Sequence, residues 1–464
     1  VFTGQGAQEV GMGQELYNKS AVAKSVWDRA DAYLMKKYGY SILEIVRTNP
    51  KSLTVYFGGE EGEKIRENYM NMTCEIIDSN GKVQTKRMFP EIDENTLYYE
   101  YKSPNGLLNA TQFTQPAITL TEKAAFEDML ENGYICDDAV YAGHSLGEYA
   151  ALSCVANTLS IESMAEIVFY RGLVMQSSVE RDALNRSDYA MCAVNPVRVH
   201  PYFSYDLLVE VVKKINSEHD GGLLEIVNYN VENYQYVVTG DITSLEALKN
   251  LLTNLRAEAK KFITLYKEDA SQAMDLLNEK VVHYVKEAEE RKAKEGWFNL
   301  ERGAATIPLR GIDVPFHSSY LLWGVPTFRE LLHQRVRRED VDVKCLVGRY
   351  IPNLMGEPFS VEKDYAIRLQ KRTNSTYLEK IIEEWDQHLF EIPYIIMIEL
   401  LAYQLASAVQ WIKTQEFLFS SEKKGGVDIE RLIEFGPTPT LVGMAKRTLA
   451  KNYSQSDLAL GKKR

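Results

Sequence analysis

A Gly-His-Ser-Leu-Gly run at residues 143–147 constrains this chain more than any other feature. It follows a short apolar stretch at 138–142 that predicts a buried strand, and it leads into an Ala-rich stretch at 149–156 that predicts a helix. A serine between glycines on a strand-to-helix turn is the pattern of a nucleophile elbow. The glycines admit a tight turn that pushes the Ser145 hydroxyl clear of the backbone. The helix behind it aims its first amides, and the positive end of its dipole, at a developing oxyanion. The same five residues also suit a plain turn, so the chemistry has to be argued from partners elsewhere.

A serine nucleophile needs a base, normally histidine. Of the seven histidines, His200, His219, His283, His333 and His388 lie in polar or helical surroundings, where a solvated or satisfied ring is the default. His144 adjoins the serine and should point elsewhere. His317 lies in Val314-Pro-Phe-His-Ser318, at the end of a predicted strand, and is the favoured base. Arg171 interrupts an apolar helix face with Ile167, Val168 and Val174. A buried arginine is costly without an anion, which leaves two readings: an internal ion pair, or a fork for a substrate carboxylate. The opening loop Gly4-Gln-Gly-Ala-Gln8 lacks the third glycine of a dinucleotide fingerprint and the lysine of a P-loop. It suits the offer of main-chain N–H groups to an oxyanion better than nucleotide binding.

Composition narrows the classes. With 53 basic and 65 acidic residues the net charge is −12, which argues against nucleic acid as main partner. The 464 residues suggest about three folding units at roughly 150 residues each. Five scattered cysteines without a CxxC pair predict free thiols in a reducing compartment, and no metal site is expected. No secretory segment opens the chain and no uncharged apolar run reaches about 18 residues, so no membrane span is expected. Residues 394–411 come nearest, but Glu399, Gln404, Ser407 and Gln410 make them a buried helix. With no initiator Met, the chain reads as a piece of a longer polypeptide.

The pattern of elements predicts an α/β protein. Residues 1–47, 107–187 and 311–464 form one core with a parallel sheet. Residues 48–106 form a β-rich insertion, with a hairpin turn at Ser79-Asn80-Gly81. Residues 188–310 read strand-helix-strand-strand-helix-strand, the split β-α-β order of a ferredoxin-like (α+β) subdomain. The charged stretch between Arg256 and Lys294 reads as a solvated helix face.

Taken in order, the GQGAQ loop, the GHSLGE elbow, Arg171-Gly-Leu-Val-Met175, Asn228-Tyr-Asn230 before Val238-Thr-Gly240, the VPFHS histidine, Gln404-Leu405 ahead of Trp411 and the Glu434-Phe-Gly-Pro-Thr-Pro-Thr-Leu441 turn resemble the malonyl-CoA:acyl-carrier-protein transacylase family. Gln112-Phe-Thr-Gln-Pro116, the length and the insertion resemble most the malonyl/palmitoyl transferase domain of fungal type I fatty acid synthase β subunits. The resemblance implies an α/β-hydrolase-like core and Ser-His ping-pong acyl transfer. Ser145 would be acylated, with His317 as its base, and the main-chain carbonyl of Gln404 would orient the imidazole. The N–H groups of Gln5 and Leu146 would form the oxyanion hole. Arg171 would hold the malonyl carboxylate, and Asn228 and Asn230 would line the histidine side. CoA thioesters would be substrates, the phosphopantetheine arm of acyl carrier protein the acceptor, with no tightly bound cofactor. The partners implied are malonyl-CoA, CoA, carrier protein and the other domains of a cytoplasmic α6β6 synthase, with palmitoyl returned to CoA at the same site. Thr3 departs from the proline common in the bacterial enzymes. An acetyl or polyketide-extender transferase, a hydrolase-type thioesterase and an inactive assembly module stay open as alternatives.

Overall fold

In the computed structural model, which describes residues 1–77, 83–155 and 157–460, the chain divides into two units. One comprises Val1–Ser178, Trp323–Gln404 and Lys413–Arg464; the other comprises Val179–Leu322 and Leu405–Ile412.

The first unit is built on a small parallel sheet. Tyr350–Ile351 pairs in parallel with Tyr141–Ala142, Gly143 with Phe2, and Phe2 with Phe435. The Phe2 N–H donates to the Ala142 carbonyl at 3.0 Å, and the Phe435 N–H to the Val1 carbonyl at 2.8 Å. Parallel strands are buried on both faces. Here two helices buried along most of their length, Thr111–Glu131 and Ile161–Ser177, pack within the same unit. Both bury polar side chains among the apolar ones, Gln115 and Glu122 on the first and Glu166 and Arg171 on the second, and these need partners inside the core.

Residues 48–106 belong to this unit and contain two antiparallel pairs, Ser52–Tyr56 with Tyr98–Lys102 and Thr73–Ile77 with Val83–Arg87. The expected hairpin turn at Ser79-Asn80-Gly81 lies outside the described residues. Between the pairs runs a helix, Gly59–Met70, that the sequence did not announce. Its buried residues are Gly62, Ile65 and Tyr69 alone, so two glycines and four glutamates mask its apolar stripe.

In the second unit the element order is strand Tyr189–Val194, helix Tyr205–Glu218, strands Leu224–Val231 and Gln235–Asp241, helix Ile242–Ala257, then helices Ala259–Glu268 and Ala270–Glu295, and strand Thr306–Pro308. The four strands form one antiparallel sheet in the spatial order second, third, first, fourth. Its core joins Val194, Tyr236 and Val238 to Leu208, Val211, Ile215, Leu248 and Leu252. The long helix Ala270–Glu295 buries Ala273, Leu277, Val281, Val285 and Ala288 at helical spacing and turns its charges outward.

One expectation needs correction. Residues 394–411 are not one helix: Ile392–Gln404 stops at Gln404, and the next helix is Trp411–Phe419. Between them the chain is extended and joins the sheet of the second unit. The Val409 N–H donates to Val227, and the Val409 carbonyl accepts from Tyr229. An uninterrupted apolar run cannot by its period distinguish a buried helix from a buried extended segment.

Candidate active site

The elbow is a consequence of close approach. A methyl group on Gly143 would lie 2.0 Å from the Gly147 carbonyl carbon, and one on Gly147 would lie 2.3 Å from the Phe2 carbonyl oxygen. Only glycine lets the strand end, the turn and the helix Gly147–Cys154 stack this tightly. Ser145 sits at φ 52, in the left-handed region that costs a non-glycine residue roughly 1–2 kcal/mol. The His144 N–H, donated to the Phe2 carbonyl at 2.9 Å, ties the turn to the central strand.

The opening loop packs on that turn. A methyl on Gly4 would meet the His144 carbonyl oxygen at 2.9 Å and Ser145 Cβ at 3.7 Å. The Gln5 side chain turns to Thr111 Oγ1 at 3.3 Å. No acceptor among the described residues meets the main-chain N–H of Gln5 or of Leu146. Thr3 anchors the loop by donating its N–H and its hydroxyl to buried Glu122, at 2.6 and 2.8 Å. A proline there could not make the first bond. Burial holds the Glu122 carboxyl well above the usual carboxylate range.

Arg171 is 2% exposed. Its guanidinium donates to Gln115 Oε1 at 3.0 Å and Gln404 Oε1 at 2.9 Å, and stands 5.4 Å from the centre of the Tyr149 ring. Both acceptors are neutral amides. Among the described residues no carboxylate forms an ion pair with it, and its Nε has no hydrogen-bond partner. The internal ion pair allowed by the sequence is therefore absent among the described residues. Burial lowers the pKa of Arg171, yet a guanidinium stays charged at any physiological pH.

Two residues tie Ser145 to this cation. The Gln404 amide donates to the Ser145 carbonyl at 2.7 Å and to Glu148 Oε2 at 2.6 Å, while its oxygen faces Arg171. Glu148 is fully buried and also accepts from the Tyr350 hydroxyl and from the Asn353 N–H. Burial outweighs these donors and pushes its pKa up to about 7.

His317, Asn228 and Asn230 belong to the second unit. His317 is buried, at φ 63, and donates its main-chain N–H to the Leu405 carbonyl at 3.0 Å. Asn228 and Asn230 are buried on the strand Leu224–Val231, whose edge pairs with Val409. Ser145, Leu146, Gln5, Arg171 and Gln404 thus come together in one unit. The segment Leu405–Ile412 holds both the histidine and the asparagine strand in the other. Sequence reasoning missed the side-chain roles of Gln404, Gln115, Glu148 and Asn353. Gln115 stood inside a quoted motif and Glu148 closed another, whereas nothing around Asn353 singled it out.

Residues 1–376 match the family model described as the acyl transferase domain. Fatty acid synthase 2 of Mycosarcoma maydis is 47% identical over 470 residues, covering 100% of this chain and 12% of that protein. The fatty acid synthase subunit beta of Saccharomyces cerevisiae is 48% identical over 389 residues, covering 84% and 19%. The chain thus spans less than a fifth of the length of these relatives. Among solved structures, an acyl carrier protein S-malonyltransferase from Vibrio cholerae superposes with a TM-score of 0.53 at 20% identity, covering 97% of this chain and 92% of that one. At that identity the likeness concerns the fold, a mixed helix and strand architecture around a parallel sheet. With the family model covering most of its length, this chain belongs to the acyl transferase domain family.

Proposed function

We propose that this chain moves malonyl from CoA to acyl carrier protein within a fungal-type fatty acid synthase, and returns finished palmitoyl to CoA at the same site. The observation that carries the reading is Arg171: a buried cation in the unit of the elbow, met by two neutral amide oxygens and, among the described residues, by no carboxylate in ion-pair contact. A substrate carboxylate, bound by the guanidinium, supplies the missing charge. The relatives, fatty acid synthases and a carrier-protein malonyltransferase by name, support the same substrate pair.

In this reading the core is α/β-hydrolase-like (1–47, 107–187 and 311–464), carrying the 48–106 insertion and a ferredoxin-like subdomain (188–310). Neutral His317 takes the Ser145 proton as the hydroxyl oxygen attacks the thioester carbonyl. The Gln404 main-chain carbonyl orients the imidazole, and Asn228 and Asn230 line its side of the cleft. The oxyanion rests on the N–H groups of Gln5 and Leu146; losing one such donor typically costs about 2.7–4 kcal/mol of barrier. The intermediate collapses, CoA leaves as the thiolate and takes the proton back from the imidazolium. The phosphopantetheine thiol of the carrier protein then gives its proton to His317 and attacks the acyl-serine, releasing Ser145. No tightly bound cofactor takes part. The parent enzyme is a cytoplasmic α6β6 assembly in this proposal.

Incubation with malonyl-CoA followed by intact mass measurement tests it. The expected result is one malonyl adduct, absent from Ser145→Ala. A protein that hydrolyses malonyl-CoA without accumulating the adduct would be a thioesterase, and one that never forms the adduct would not be an acyltransferase of this kind.

A further inference from the structure

Asn353 lies two residues beyond the strand Tyr350–Ile351, whose parallel partner Tyr141–Ala142 runs into the nucleophile turn. It is 2% exposed. Its Oδ1 accepts the Ser145 main-chain N–H at 2.6 Å, and its Nδ2 donates to the Gly143 carbonyl. Its own main-chain N–H is donated to Glu148 Oε1 at 3.2 Å. One primary amide thus supplies an acceptor and a donor to the two ends of the same turn. Rotated by half a turn, it would set N–H against N–H and carbonyl against carbonyl, so its orientation is fixed.

We propose that Asn353 is a positioning residue for the nucleophile: its amide pins both ends of the Gly143–Ser145 turn, holds Ser145 left-handed, and withdraws the Ser145 N–H from the amides that could meet an oxyanion. The inference rests on Ser145 being the nucleophile, as proposed above. A serine in the left-handed region persists only where its surroundings over-determine it. The Ser145 carbonyl is held from the other side by Gln404 Nε2 at 2.7 Å and the Glu148 N–H at 3.1 Å. With the Ser145 N–H engaged, Leu146 presents the first amide of the elbow helix. Loss of the Asn353 amide lets the turn relax, which moves the hydroxyl and that amide together.

Two reagents separate this role from the substrate assignment: malonyl-CoA, and a fluorophosphonate, which phosphonylates an activated serine with loss of fluoride whatever the acyl preference. Asn353→Asp keeps the size and the acceptor, but its second oxygen faces the Gly143 carbonyl unless it carries a proton. Ser145 phosphonylation is expected to fall at least tenfold at pH 8.5, and the variant-to-wild-type ratio to recover at least fivefold at pH 5.5. The titratable groups at the site are Glu148, which accepts the Asn353 N–H, and Tyr350, which donates to Glu148, with Arg171, Tyr149 and Tyr365 acting on that pair. All are present in both proteins, so their own titration enters both rates, and the adjoining Glu148 raises the pKa of the introduced carboxyl without reversing the direction of recovery. Asn353→Ala is expected to lose at least tenfold at both pH values, without recovery. A purely structural role would lower melting temperatures but leave the Asn353→Asp ratio flat with pH. That flat ratio, or rates within twofold of wild type at pH 8.5, would overturn the proposal. So would failure of both variants to fold, because a positioning residue is not required for the fold. Wild type labelled by the fluorophosphonate but not by malonyl-CoA would overturn the substrate assignment alone; labelling by neither would overturn both.

Discussion

Among the described residues Arg171 has no carboxylate in ion-pair contact, only the nearby Glu148 field and two neutral amide oxygens, and that determines what its removal should do. Without the guanidinium a malonyl carboxylate would be buried unpaired, whereas a neutral acetyl group loses nothing. Arg171→Ala is expected to slow malonyl loading of Ser145 by about 100-fold, near 2.7 kcal/mol of transition-state stabilisation, with acetyl loading within about threefold. Competition between the two CoA thioesters, read by intact mass, measures the ratio; equal losses for both would contradict the role. Ser145, His317 and Arg171 stood out in the sequence because each is a chemically distinctive residue in a distinctive local setting. Asn353 was not. Its partners are main-chain groups of a turn 208–210 residues earlier, and an asparagine after proline reads as an ordinary loop. Gln404 was singled out for its main chain, but its side-chain amide makes the contacts to Ser145, Glu148 and Arg171.

At the scale of elements, the helix Gly147–Cys154 carries a buried carboxyl at its first turn, which gives its packing a pH dependence. The Glu148 pKa stands at about 7 against 4.5 for the exposed group. Between those values the native state binds more protons than the unfolded state, so this group's contribution falls as pH rises from 4.5 to 7 and is then constant. The shift corresponds to on the order of 3 kcal/mol. Glu148→Gln removes that dependence. Its unfolding free energy relative to wild type is expected to shift in favour of the variant between pH 5 and pH 8, measured by denaturant melts; a pH-independent difference would refute it. The strand ending at Ala142 and the helix Gly147–Cys154 after it lie where the sequence placed them, on either side of the Ser145 turn. The helix Gly59–Met70 and the end of Ile392–Gln404 did not show, one for lack of apolar residues and the other for excess of them.

For the whole molecule, the −12 charge would oppose the approach of the anionic CoA and acidic carrier protein proposed above, so their docking would need a locally basic rim. Arg310 and Lys371 are exposed candidates. Charge reversal at either is expected to raise the KM for carrier protein several-fold at low salt, with the difference shrinking as ionic strength rises and the Debye length falls below about 10 Å. A KM unchanged at low salt would place the rim elsewhere. The sheet of the first unit has a further consequence for how the protein is made. Phe2, a middle strand, pairs with residues as distant as Phe435, and the Ser145 turn is braced by Asn353, 208 residues downstream. At roughly 5–20 residues per second, the ribosome exposes the serine about 10–40 s before that brace exists. On the roles proposed above, the serine is synthesised early and braced late, so a nascent chain would not spend acyl-CoA before the rest of its site has folded.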